Sequence, residues 1–264
     1  MAVLLCAAML SSCNWFDDTG VRDITAPMPS SRIKFHNFAP SSVGVNFYAN
    51  DTKMTAVLTS ACGSPTTAAD STACSTTGIE SATGVNFGSL GSGGLYDAIA
   101  PGQYTLTARV AGKPDVVATA AQAIADGKYY SFFMSGVYNT TTKTADAFVV
   151  EDPIPTGPVD YTVAYVRLVN AVSDGVGPLT LYITNAETKA EAAVGGPVAY
   201  KTAGAFVAVP AGTYSLAARY SGSSTNVLSR TSASFIGGRV YSVTARGSTA
   251  TTSTLALDVT ENQR

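Results

Sequence analysis

His36 is the single histidine of the 264-residue chain, so any Ser/His/Asp or Cys/His relay would have to run through it. It sits in Arg32-Ile-Lys-Phe-His36-Asn37-Phe, whose alternation reads as a strand, and no Gly-x-Ser-x-Gly turn accompanies it. Those neighbours point to a structural or surface histidine. Paired carboxylates of a glycosidase type would have to come from Asp51, Asp70, Glu80, Asp97, Asp115 and Asp126. Most of these stand in turn-rich segments, where Asp is favoured for local hydrogen bonds. Gly91-Ser-Gly-Gly94 has the glycine density of a phosphate cradle but neither the lysine nor the following helix that such a cradle needs, and it reads as a hairpin turn. Asp17, Asp18 and Asp23 lack the alternating ligands of a calcium loop. Cys62 and Cys74 have no Cys or His nearby to complete a zinc site. The sequence therefore offers no catalytic, cofactor-binding or metal-binding residue, and the chain is expected not to be an enzyme.

What remains is binding chemistry. Tyr129, Tyr130, Phe132 and Phe133 are the densest aromatic group, and strand alternation puts Tyr129 and Phe133 on one face, Tyr130 and Phe132 on the other. One pair fills a core; the other, if left open, is the kind of surface that sugars and peptides use. Charged residues make up only 13% of the chain, about half the usual share. With a net charge of −2 there is no basic field for phosphates, which excludes nucleic acid as a partner.

The elements that must position these residues come in two sets. Ala100-Pro-Gly-Gln-Tyr104-Thr-Leu-Thr-Ala-Arg109 returns as Pro210-Ala-Gly-Thr-Tyr214-Ser-Leu-Ala-Ala-Arg219, with the same spacing between Gly102 and Gly212 as between Tyr104 and Tyr214. In each, a Pro/Gly turn releases a strand that places Tyr104, Leu106 and Ala108, or Tyr214, Leu216 and Ala218, on one face. Arg32 to Pro40 finds its counterpart in Val166 to Ala171, Val43 to Tyr48 in Leu179 to Tyr182, and Gly127 to Phe133 in Gly238 to Thr244. Val85-Asn-Phe87 is matched by Val198-Ala-Tyr200, and Leu95-Tyr96 by Ala205-Phe206. Glu151-Asp152 closes the first set as Glu261-Asn262 closes the second, and Asp152-Pro-Ile-Pro-Thr-Gly-Pro158 between them reads as a stiff linker. About seven short strands per set, with no sustained helical period, give an all-β fold class and two β-sandwich domains in tandem. The expected boundaries are 31–152 for the first, with an insertion at 54–83, 153–160 for the linker and 161–262 for the second.

The N-terminus carries the most specific short signal. Ala2 to Leu10 is almost wholly apolar, too short to span a bilayer but suited to the core of a signal peptide, and Leu10-Ser-Ser-Cys13 follows it. That string resembles the lipobox of bacterial lipoproteins, which implies a signal peptide over 1–12, acylation of Cys13 and a tether over 13–30. Asn14, not Asp, follows the cysteine, which by analogy with the enterobacterial sorting rule implies the outer membrane where the source has one, and otherwise the cell surface. No Lys or Arg lies between Met1 and Cys13, so the natural start is expected upstream of Met1. With Cys6 in the signal and Cys13 lipidated, Cys62 and Cys74 remain as an even pair in a chain that folds outside the cytosol and are expected to bond to each other. The loop they close, about a dozen residues, is worth roughly 3 kcal/mol on chain-entropy grounds.

Taken in order, Arg167-Leu-Val-Asn-Ala171, a strand ending in Tyr182, Phe87-Gly88, the Pro-x-Gly-x-Tyr strands and Gly127-Lys-Tyr-Tyr130 resemble a family of bacterial secreted repeats catalogued as domain of unknown function 4397. The first set departs from that pattern in Asn37-Phe38 and in its insertion. The resemblance spans Arg32 to Thr260 and implies an envelope location and an Ig-like or transthyretin-like sandwich, with no assigned activity. The expected protein is a lipid-anchored, non-enzymatic structural or interaction module of the cell envelope. Its expected partners are the membrane through the anchor and, in the alternative, a cell-surface glycan or peptide.

Overall fold

A computed structural model describes residues 29–55 and 83–262. Cys13, Cys62 and Cys74, with the lipidation and disulfide expected of them, lie outside these residues, as do Asp70 and Glu80.

The described chain is all-β. The first domain contains β1 (Ser31–Asn37), β2 (Val45–Ala49), β3 (Thr52–Lys53), β4 (Ser89–Leu90), β5 (Asp97–Ile99), β6 (Gly102–Val110), β7 (Val116–Ile124), β8 (Tyr129–Asn139) and β9 (Thr144–Glu151). One sheet runs β4-β1-β8-β9, with β5 also on β1, and the other runs β3-β2-β6-β7. The second domain contains β10 (Val163–Asn170), β11 (Leu179–Asn185), β12 (Glu191–Val198), β13 (Thr202–Ala203), β14 (Val207–Pro210), β15 (Gly212–Tyr220), β16 (Leu228–Phe235), β17 (Val240–Arg246) and β18 (Ala256–Asn262). Its sheets run β13-β10-β17-β18, with β14 also on β10, and β12-β11-β15-β16. The strand orders correspond one for one. In each domain the opening strand lies parallel to the eighth, β1 on β8 and β10 on β17, while the remaining pairings are antiparallel. Each domain thus has nine strands where about seven are expected; the short strands β4, β5, β13 and β14, each a brief return along the opening strand, make the difference.

Alternation fills both sandwiches as the sequence implies. Ile33, Phe35, Phe47, Leu106, Ala108, Tyr130, Phe132 and Met134 form the first core, against which Tyr104 packs. Val166, Leu168, Leu181, Tyr214, Leu216, Ala218, Tyr241 and Val243 form the second. Tyr214 also fastens its own turn by donating its hydroxyl to the Pro210 carbonyl at 2.8 Å.

The opposite face of β1 departs from a half-solvated strand. Lys34 and His36 point away from the sandwich core, yet both are buried. A third cluster explains why: Phe38, Phe133 and Phe148 of the first domain pack on Val169 and Ala171 of the second. The outer face of sheet β4-β1-β8-β9 thus lies on the outer face of sheet β13-β10-β17-β18, and the sheets form four layers with these two inside. Residues that alternation turns out of one core are turned into another.

Candidate functional site

The junction between the two inner sheets is where the buried ionisable chemistry of the described residues collects. Among the described residues, the Lys, Arg, Asp and His side chains that are buried are Lys34, Arg167, Asp152 and His36. All four lie between the two inner sheets. Lys34 is the third position of β1 counting back from Asn37, and Arg167 the third of β10 counting back from Asn170. Each stands beside a serine on the neighbouring parallel strand, Lys34 beside Ser131 and Arg167 beside Ser242.

Their contacts are reciprocal. Arg167 of the second domain reaches the end of the first: Nη1 donates to the Glu151 carbonyl at 2.9 Å, and Nη2 pairs with the Asp152 carboxylate. Lys34 of the first domain reaches the end of the second: Nζ donates to the Glu261 carbonyl at 2.8 Å and lies 3.4 Å from Asn262 Oδ1. Each cation also rests over an aromatic ring of its own domain, Arg167 over Phe206 at 4.5 Å and Lys34 over Tyr96 at 4.2 Å. At the rim each domain closes its own end with an ion pair, Lys128 with Glu151 at 3.1 Å in the first and Arg239 with Glu261 at 2.6 Å in the second. At the other end of the sheets Tyr200 of the second domain meets Ser135 and Asp146 of the first, both at 2.9 Å, while Arg246 of the second lies over Phe38 and Phe87 of the first.

Asp152 is fully satisfied. Its carboxylate accepts from Arg167, from Tyr96 Oη at 2.6 Å and from Ser131 Oγ at 2.7 Å, and Arg167 Nε completes its own set on Ser242 Oγ at 3.0 Å. Burial, with the Asp152 charge next in effect, drives the Tyr96 hydroxyl far above the ordinary phenol range, which keeps it a donor. Lys34 has no carboxylate in direct contact. Burial lowers its pKa to about 8, against the partly compensating charges of Asp152 and Glu261. His36 stacks on Phe133 at 4.2 Å, with Phe38 tilted against it at 5.3 Å, and its Nδ1 meets the Phe132 carbonyl at 3.2 Å. Burial and then the Lys34 charge lower its pKa to about 3, so the ring is neutral.

These groups are locked rather than poised. The side chains of Lys34 and Arg167 are each 1% exposed, and their donors are committed to backbone and side-chain acceptors across the junction. The sequence-level candidates are scattered: Asp51 holds Arg109 at the surface, Asp97 holds Ser92, and Asp126 holds Ser30. Gly91–Gly94 is a single short turn joining β4 to β5, with Ser92, Gly93 and Gly94 in the left-handed region. The aromatic cluster is filled on both faces, Tyr130 and Phe132 by the first core and Phe133 by the junction, while Tyr129 stands edge-on to Tyr96. It therefore presents no open platform at Tyr130 for a glycan or peptide. The residues that sequence reasoning missed are Lys34, Tyr96, Asp152, Arg167 and Asn262; the available signal was a basic residue at the matching place in both opening strands.

Two grooves flank the buried cluster, of about 640 Å³ beside Leu90, Leu95, Tyr96, Arg239 and Glu261 and about 430 Å³ beside Glu151, Arg167 and Lys201. A third cavity, of about 610 Å³, lies under the interdomain linker.

Residues 164–264 match the family model described as Domain of unknown function (DUF4397). The match falls on the second sandwich and agrees with the resemblance carried by its Arg167 to Ala171 strand. No curated protein matches the chain. Among solved structures, a similar one is the crystal structure of CBMbc (family CBM26) from Eubacterium rectale Amy13K in complex with maltoheptaose, 12% identical over 89% of this chain and 96% of that one, at a TM-score of 0.23. At that TM-score the likeness carries no argument about this chain.

Proposed function

We propose that the chain is a lipid-anchored protein of the cell envelope that acts without catalysis, as a two-domain interaction or spacer module held in one fixed shape. The observation that carries this reading is the junction: its buried Lys, Arg, Asp and His side chains serve to join the two sandwiches. A chemistry-bearing site keeps such groups within reach of a substrate; here they reach across to the other domain. The two halves are, in this reading, copies of one unit that pair face to face as the subunits of a symmetric dimer do. The anchor rests on Leu10-Ser-Ser-Cys13, and the several acyl chains of a lipoprotein cysteine make a durable attachment.

Fractionation of cells making the full chain tests the placement. Cys13→Ala is expected to abolish acylation and release the protein into soluble fractions; unchanged membrane association would remove the anchor from the account.

A further inference from the structure

The end of the body at which Ser30 joins β1 is also the end where the interdomain linker crosses, and apolar side chains gather there. Ser30 Oγ accepts from the Gly127 amide at 3.1 Å, and the Arg32 amide donates to the Lys128 carbonyl at 2.9 Å. Gly127 and Lys128 line the cavity of about 610 Å³ together with Tyr129, Ile154, Pro155 and Val159. Val159 in turn lies against Gly238: a Cβ there would sit 2.7 Å from Val159 Cγ1 and 3.3 Å from the Tyr161 ring. One residue earlier, a Cβ on Gly237 would fall 1.7 Å from the Tyr161 carbonyl oxygen, so both glycines are required for the linker to press this closely. Tyr161 is 78% exposed, Ile236 53% and Val159 46%. They form one patch, contiguous through the linker cavity with the point where the N-terminal segment enters.

From this placement we infer that the Val159, Tyr161 and Ile236 end of the body rests on the surface of the lipid bilayer to which Cys13 is anchored. The inference depends on the proposed anchor. The opposite end also exposes apolar side chains, Val137 and Val176 among them, so exposure alone does not choose between ends; the chain path does. Cys13 and Ser30 are 17 positions apart (30 − 13), a reach of at most about 60 Å. That holds this end, on average, nearer the lipid than the other and so at the higher effective concentration beside it. Tyrosine is a residue suited to such a boundary, its ring in the headgroup layer and its hydroxyl in water. Of the charges nearby, Lys128 is paired with Glu151 and Arg239 with Glu261, while the exposed Asp160 carboxylate is held by Thr162, so the contact rests on the apolar side chains.

Trp15 is the only tryptophan, which makes the test direct. Acylated full-length protein in a Trp15→Phe background, carrying Tyr161→Trp or, separately, Val176→Trp, is reconstituted into phosphatidylethanolamine and phosphatidylglycerol vesicles with brominated acyl chains. The indole at position 161 is expected to lose at least about half its emission to bromine quenching while that at position 176 keeps nearly all of it. Equal emission from the two positions overturns the inference, whether both are quenched or neither. Ile236→Trp repeats the measurement from a neighbouring position, independently of any disturbance at Tyr161. Acylation is read from the mass of the N-terminal peptide. Its presence with no quenching at position 161 refutes this orientation and leaves the anchor standing, whereas its absence refutes the anchor itself.

Discussion

The two halves of the domain junction use the same plan with different chemistry. On one side Arg167 meets Asp152, a charge pair closed off by Tyr96, Ser131 and Ser242. On the other, Lys34 meets a backbone carbonyl and, at 3.4 Å, the amide of Asn262, which stands at the end of β18 much as Asp152 follows β9. A planar guanidinium with a buried carboxylate is a committed pair. A buried ammonium whose direct acceptors are neutral carries a desolvation cost that the charges of Asp152 and Glu261 relieve only in part. Equivalent backbone positions therefore give one half that holds the domains together and another that is electrostatically incomplete, and the junction as a whole buries two cations against one carboxylate.

The largest effect should come from breaking the committed half. Asp152→Ala leaves the Arg167 guanidinium buried without its counter-ion and is expected to cost about 3–5 kcal/mol in denaturant unfolding. A loss below about 1 kcal/mol, the value of an exposed pair, would mean that the junction opens freely to water. His36 should give the next largest effect. Its folded pKa of about 3 lies below the ordinary 6.5, so the unfolded chain takes up a proton that the folded chain refuses. The resulting stability is complete above pH 6.5 and is lost as the pH falls toward 3, by an amount on the order of a few kcal/mol. The corresponding position in β10 is Val169, which does not titrate, and His36→Phe is expected to flatten this part of the pH profile. An unchanged slope would assign the acid sensitivity to other groups.

Lys34 behaves in the opposite sense to a paired cation. With a folded pKa of about 8 against 10.5, the unfolded chain binds the extra proton between those values, so stability should rise with pH from 8 toward 10. Lys34→Met should remove that rise and cost no more than about 1 kcal/mol at neutral pH, because it deletes a charge that the site compensates only in part. A cost like that of Asp152→Ala would show the two halves to be energetically alike. The smallest change is Asn262→Asp, which gives Lys34 the carboxylate that Arg167 already has. A gain of about 1 kcal/mol in stability, with loss of the alkaline rise, is the expected result; destabilisation would mean that the amide is required by Ser242, to which its Nδ2 donates at 2.8 Å.

This asymmetry also marks where the sequence stops being informative. Alternation and turn chemistry locate the strands: Tyr104 and Tyr214 each stand two residues after the glycine of a Pro/Gly turn, and both pack inward. The sorting of Tyr130 and Phe132 from Tyr129 and Phe133 follows from the pleat alone. A period of two states which face a side chain is on but not what covers that face. Lys34, His36 and Arg167 therefore read as solvent-facing or ambiguous, and only the contact of two sheets distant in sequence makes them buried. Asp152 shows the same limit, because its place just after a strand and before three prolines suggests a linker boundary rather than the anchor of a cross-domain ion pair.

The claim beneath these comparisons is that the reciprocal junction makes one rigid body of two sandwiches. Backbone ¹⁵N relaxation on the full chain measures this directly. Amides of β1–β9 and β10–β18 should fit a single rotational diffusion tensor, with the same correlation time in both domains; two distinct correlation times, each near that of a single sandwich, would contradict it.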